Sequence, residues 1–182
     1  MFSLFLSLSQ RIDQVSRAAA RFSVALVLIC ALVSALNALS RYLFDVSSNA
    51  WLEQQWYMFG GIVLLGAPHL LKTNGHIRVD IFYSKLTYRQ QLWLDLAGLL
   101  VFLAPFSIYM VLTSWPWFLE AWTLQETSPN AGGLLRWPVK LLLPLGFALL
   151  TLQGVSETIK RIAALRGTLS LDSAPHYERP LQ

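Results

Sequence analysis

The chain has 182 residues, of which 55% are hydrophobic and 13% are Asp, Glu, Lys or Arg, about half the usual charged share. Its net charge is +4, its mean hydropathy is +0.49, and Cys30 is its one cysteine. So few charges cannot cover a soluble domain, so apolar a chain is not disordered, and a lone cysteine excludes a disulfide scaffold, which leaves an integral membrane protein.

Residues 1–21 lack the pattern of a secretory signal. No charge precedes the apolar stretch Met1–Leu8, and Arg11 cuts it short. Phe5, Leu8, Ile12, Val15, Ala19 and Phe22 recur at steps of three and four, which is one face of a helix. Gln10, Arg11, Asp13, Gln14, Arg17 and Arg21 fall largely elsewhere. The pattern fits an amphipathic helix lying in the membrane interface. The plainer alternative is a polar extension of the first span.

Residues 22–166 read as a four-helix membrane domain with spans at about 22–39, 51–71, 92–117 and 138–159. At roughly 1.5 Å per residue, about 20 residues cross a hydrocarbon core of roughly 30 Å. Pro138 suits the first turn of the last span. Pro105 and Pro144 fall inside spans and should kink them. Asn74-Gly75 signals a turn. Asp80 can cap a short inner helix, and Thr87-x-x-Gln90 has capping-box spacing before span three. Residues 167–182, with Pro175 and Pro180, read as a mobile cytoplasmic tail. The fold class is therefore all-α integral membrane, with four transmembrane helices after an N-terminal amphipathic interfacial helix.

Orientation follows from the basic residues. With the N-terminus inside, Arg11, Arg17, Arg21, Lys72, Arg78, Lys85, Arg89, Lys160, Arg161, Arg166 and Arg179 lie in the cytoplasm. Only Arg41, Arg136 and Lys140 lie outside. Eleven against three is a strong positive-inside bias and puts both termini in the cytoplasm.

No catalytic constellation is visible. There is no P-loop and no G-x-G-x-x-G, and His69, His76 and His176 have no metal-site spacing. The expectation is no enzyme, no cofactor, no metal and no nucleic-acid partner. Glu53, Asp95, Glu120 and Lys140 each lie within a turn or two of an interface, leaving an apolar midplane. Arg136 or Lys140 should reach Glu53, Glu120 or Glu126 in an outer polar cluster. Ala31-x-x-x-Ala35, Gly60, Gly61, Gly66, Gly146 and Gly154 suit close helix approach. Tyr42, Trp51, Trp56, Trp93, Trp115, Trp117, Trp122 and Trp137 form an aromatic belt. These features favour a packing subunit over a self-sufficient transporter. The competing class is a small self-dimerising four-helix exporter, for which Glu53 is the one available carboxylate.

Three stretches carry a resemblance: Trp51-Leu-Glu-Gln-Gln-Trp-Tyr-Met-Phe, Thr73-Asn-Gly-His-Ile-Arg-Val-Asp80, and Glu126-Thr-Ser-Pro continuing through Leu135-Arg-Trp-Pro-Val-Lys140 to Gln153. In order and spacing they resemble the small, DctQ-like membrane subunit of tripartite ATP-independent periplasmic (TRAP) transporters, over residues 11–166. The resemblance implies a bacterial inner-membrane scaffold paired as a heterodimer with a large elevator subunit that holds the substrate and sodium sites. It also implies a periplasmic substrate-binding protein as partner, membrane lipids around the chain, and sodium-coupled uptake of an organic acid. The Ser-Pro…Arg-Trp-Pro-x-Lys form with Gln153-Gly-x-Ser-Glu157 is similar to the branch associated with 2-oxo acids, mannitol and chloroaromatic compounds. On this basis Glu53, Arg136, Trp137, Lys140, Gln153 and Glu157 are candidates for a subunit or helix interface. Arg41, Asp45, Glu120 and Glu126 are candidates for docking the binding protein, and His76, Arg78 and Asp80 for shaping the inner loop.

Overall fold

A computed structural model describes residues 2–76 and 83–168. Four long helices make up nearly all of it: α1 (Phe2–Phe44), α2 (Asn49–Lys72), α3 (Tyr88–Thr123) and α4 (Trp137–Leu165). The described residues contain no strand, only an isolated antiparallel bridge between Thr127 and Leu135. Helices α1, α2 and α4 pack on one another, and α3 packs mainly on α4. The last helix is therefore the centre of the fold.

Three helices are long and apolar enough to cross a membrane: Leu4–Phe44, Tyr88–Thr123 and Trp137–Leu165. Helix α2 has the length, with 24 residues, or about 36 Å. Its hydropathy is diluted by Glu53, Gln54, Gln55, three glycines, Pro68 and His69. Those residues suit its place between α1 and α4, where Glu53, Gly61 and Pro68 are buried.

No joint separates residues 1–21 from the first span. Helix α1 runs unbroken for 43 residues, about 64 Å at the usual rise, so the expected boundary at residue 21 does not mark a separate helix. Its N-terminal faces explain why. Ser9, Ser16 and Ser23 are 2%, 1% and 5% exposed, whereas Phe5, Leu8, Val15 and Phe22 are about half exposed. The apolar face points away from the chain and the hydroxyl face points in. Ser9, Ser16, Ser23, Cys30 and Asn37 stand seven residues apart along α1. That heptad line of small or polar side chains lets α1 lie close to its neighbours. By contrast, Ala31 and Ala35, the pair on α1 expected to allow close packing, are exposed.

Helix α3 accommodates Pro105 without a break. Residues Gly98–Leu103 form a π-helical turn, and the Ala104 N–H reaches back to the Leu99 carbonyl. Proline has no N–H for the carbonyl four residues back, and a wider turn absorbs the mismatch. Gln90 Oε1 accepts the Thr87 N–H at 2.9 Å at the start of α3, in keeping with the capping-box spacing. Helices α2, α3 and α4 end in the same way. Asn74, Gln125 and Gly167 take positive φ, and the next N–H bonds to the carbonyl five residues back, at Leu70, Ala121 and Ala163. Of the inner-loop candidates, His76 is exposed just after the Asn74-Gly75 turn, while Arg78 and Asp80 lie outside the described residues. Nearly all of the 167–182 tail lies outside them too.

The tightest helix crossing is at Gly146 of α4. A Cβ there would lie 2.7 Å from Leu64 Cβ and 3.1 Å from the Leu64 carbonyl oxygen on α2. A Gly146→Val chain should lose roughly 1–3 kcal/mol by overpacking, read as an earlier thermal transition of the purified protein in detergent. Gly98→Ala is the control: nothing lies within 4 Å of its added methyl, so its transition should not fall.

Candidate functional site

Two polar clusters stand at opposite ends of the bundle, called inner and outer after the sides that the count of basic residues predicts for them. The inner one starts at Asp13 on α1. Its Oδ1 accepts hydrogen bonds from Gln153 Nε2 (3.0 Å), Ser156 Oγ (2.8 Å) and Lys160 Nζ (3.0 Å), all on α4. Its Oδ2 pairs with Lys160 Nζ at 2.8 Å and more loosely with Lys72 Nζ of α2 at 3.7 Å. Ser16 Oγ donates to Gln153 Oε1 at 2.6 Å, and the Ser9 and Ser156 hydroxyls meet at 2.7 Å. Gln153 Nε2 also donates to Glu157 Oε1 at 3.1 Å. Glu157 takes Lys160 Nζ at 2.7 Å and Arg161 Nη1 at 2.6 Å. Arg161 then donates from Nε (3.2 Å) and Nη2 (3.1 Å) to Asp95 Oδ2 on α3.

This chain of contacts touches every helix. Three carboxylates (Asp13, Asp95, Glu157) face three cations (Lys72, Lys160, Arg161). Ser9, Ser16, Gln153, Ser156, Glu157 and Arg161 are all buried. Gln153 and Glu157, candidates for an interface, thus serve contacts between helices of this chain and do not reach its surface. The spacing Gln153, Glu157, Arg161 at steps of four was a visible signal. Its connection to Asp13, Lys72 and Asp95 was not, because those residues lie 58 to 148 positions away.

The outer cluster pins the α3–α4 loop. Glu126 pairs with Arg136 Nη1 at 2.9 Å and with Lys140 Nζ. Lys140 also lies 4.3 Å from the Trp117 ring centroid, and Trp122 meets Trp137 edge-on at 4.6 Å. Both expected cations therefore converge on Glu126, and neither is paired with Glu53 or Glu120. Glu53, buried on α2, accepts the Leu134 N–H at 3.3 Å and the Tyr57 hydroxyl at 3.1 Å. It fastens loop backbone. The loop closes on itself through Ser128 N–H to Leu134 carbonyl (2.9 Å) and Arg136 N–H to Glu126 carbonyl (2.8 Å). Arg41, Asp45 and Glu120 are exposed, as docking groups must be, while Glu126 is engaged by its two cations. Among the described residues no group of His, Cys, Asp and Glu is arranged to hold a metal ion.

Helices that are apolar outside and charge-linked inside define an integral membrane protein. The comparisons agree. Residues 29–164 match the family of the DctQ component of tripartite ATP-independent periplasmic transporters, and the chain belongs to that family. Among curated proteins and among solved structures nothing matches. The chain is thus the small membrane component of a TRAP transporter, a family of transporter components and not of enzymes.

Two predictions test the clusters. Arg161→Leu leaves Asp95 and Glu157 without their shared cation and should cost roughly 3–5 kcal/mol. Arg136→Gln, at a half-exposed pair, should cost under about 1 kcal/mol. Thermal unfolding in detergent checks both, and replacing Asp95, Glu157 and Arg161 together by Asn, Gln and Met should recover much of the loss. The second concerns pH. The hydrogen bond and charge of Lys140, then the charge of Arg136, hold the Glu126 carboxyl below its ordinary value. The clamp therefore contributes in full above the ordinary glutamate range of about 4.3 and is lost as pH falls through the lower folded value. Cleavage in the loop by an acid-active protease should stay slow at pH 5 and accelerate only below about pH 4.

Proposed function

We propose that this chain is the fixed scaffold of a sodium-coupled, binding-protein-dependent uptake system for an organic acid. It lies in the bacterial inner membrane with four transmembrane helices and both termini in the cytoplasm. Its partner is the large elevator subunit, which carries the substrate and sodium; this chain carries neither. The observation that supports a static role is the buried inner charge chain. A sliding helix would have to pull Asp13, Asp95, Glu157 and Arg161 apart inside the bundle, leaving charges without partners. The positive-inside count supports the orientation. The exporter alternative loses its carboxylate, because Glu53 is buried and bound to the loop backbone.

The periplasmic binding protein docks in part on the ordered outer loop, with Glu120 beside it. A folded loop offers a fixed surface at small entropic cost. Glu126 is a poor probe of docking, because reversing its charge would open the loop itself; Glu120 is the clean one.

Vesicles containing this chain alone, given a sodium gradient and binding protein, should show no saturable uptake. Vesicles with both membrane subunits should show it. Uptake by the chain alone would overturn the scaffold role. With both subunits present, Glu120→Lys should raise the binding-protein concentration needed for half-maximal uptake and leave the rate at saturation unchanged.

A further inference from the structure

The α1–α2 turn carries a groove that neither cluster uses. It is an open groove of about 520 Å³ whose lining includes Ser34, Asn37, Ala38, Arg41 and Asp45 with Gln55 of α2. On α1, Ser34, Asn37, Ala38 and Arg41 recur at steps of three and four and share one helix face, and Asp45 follows just past the helix end at positive φ. Arg41, in the last turn of α1, and Asp45, just past it, bring a cation and a carboxylate to the chain turn. Ala38 and Asn37 lie about one turn deeper than Arg41, and Ser34 starts the stretch beyond them. At about 1.5 Å per residue, Arg41 and Asn37 are separated by about 6 Å along the axis, and Arg41 and Ser34 by about 10 Å.

That sequence of chemistries is the sequence met along a phospholipid. A guanidinium suits a phosphate. A carboxylate beside it suits a primary ammonium. Amide N–H groups suit ester carbonyls, and small side chains leave room for an acyl chain. Gln55 Nε2 is buried with no hydrogen-bond partner among the described residues, so an acceptor brought to it would satisfy it. The groove lies on a helix that is long and apolar enough to cross a membrane, so a lipid can enter it sideways from the bilayer.

We infer that the groove between α1 and α2 is a binding site for a zwitterionic phospholipid with a primary amine headgroup, with Arg41 on the phosphate and Asp45 on the ammonium. This goes beyond the scaffold role and holds for either orientation of the chain.

The test is native mass spectrometry of the full chain, titrated in detergent with phosphatidylethanolamine, phosphatidylglycerol or phosphatidylcholine. The wild-type chain should retain phosphatidylethanolamine about fivefold more tightly than the other two, the factor one partly exposed charge pair supplies. Asp45→Asn should abolish that preference and leave phosphatidylglycerol binding in place. Asn is well tolerated at the positive φ of this position, so the variant should fold. Arg41→Gln should weaken all three lipids. Equal retention of every lipid by wild type and both variants would mean annular lipid only and overturn the site. So would a disulfide from Asn37→Cys to a helix of the large subunit that forms in the complex and excludes lipid, since the groove would then seat protein. Neither result depends on whether the chain is static during transport.

Discussion

Apolar helices in a bilayer gain nothing by leaving lipid for one another, because lipid tails are as apolar as leucine. What fixes four such helices in one arrangement is polar contact that lipid cannot replace. Here that contact is Asp13 of α1 held by Gln153, Ser156 and Lys160 of α4, continued through Glu157 and Arg161 to Asp95 of α3. Lys72 of α2 joins the same carboxylate. Each group is satisfied by at least one opposite charge, so the low dielectric strengthens the network and penalises any register that unpairs it. A one-residue shift of α1 would turn Asp13 by about 100° and empty the centre of the cluster. The register of the other helices on α4 follows from that single requirement.

The rest of α1 is consistent with it. A helix presenting Asp13 to α4 must present Ser9 and Ser16, four and three residues away, on the same side, and with them the residues that continue their heptad line. Those are small or polar at every step from Ser9 to Asn37. The apolar residues are then left outside, where the bilayer is their solvent. Reading the apolar face as the packing face is correct for a soluble helix and inverted for this one. Apolar periodicity marks the lipid side as readily as the core, and only the heptad line of serines distinguishes them.

What the sequence made legible divides by distance along the chain. The all-helical character, the capping box at Thr87 and the turn at Asn74 follow from local pattern and stand in the structure, whereas the expected helix boundary at residue 21 does not. The outer cluster was also within reach: Glu126, Arg136 and Lys140 span only a short loop, and loop closure over so few residues is cheap. The inner cluster joins residues from four helices, and their charges read naturally as a positive-inside count. Lys72, Lys160 and Arg161 do belong to that count, yet they are also partners of buried carboxylates. A sequence shows a charge's side of the membrane more readily than its partner.

The two ends differ in how they could yield. At the outer end, the β-bridge, the Glu53 contact to Leu134 and the Glu126 clamp act mainly on loop backbone. Losing one of them frees a loop and leaves the helices where they are. At the inner end the contacts run between helices, so losing one changes the packing. Between the ends the chain has the close approach of Gly146 to Leu64 and the π turn that seats Pro105. Both are steric, and neither discriminates strongly against sliding along the axis. Under the proposed scaffold role, a part that stays still while its partner moves needs its strongest constraint where sliding would be felt most. A buried row of alternating charges, each matched across a helix boundary, supplies that constraint, because its energy changes steeply with displacements of a few ångströms.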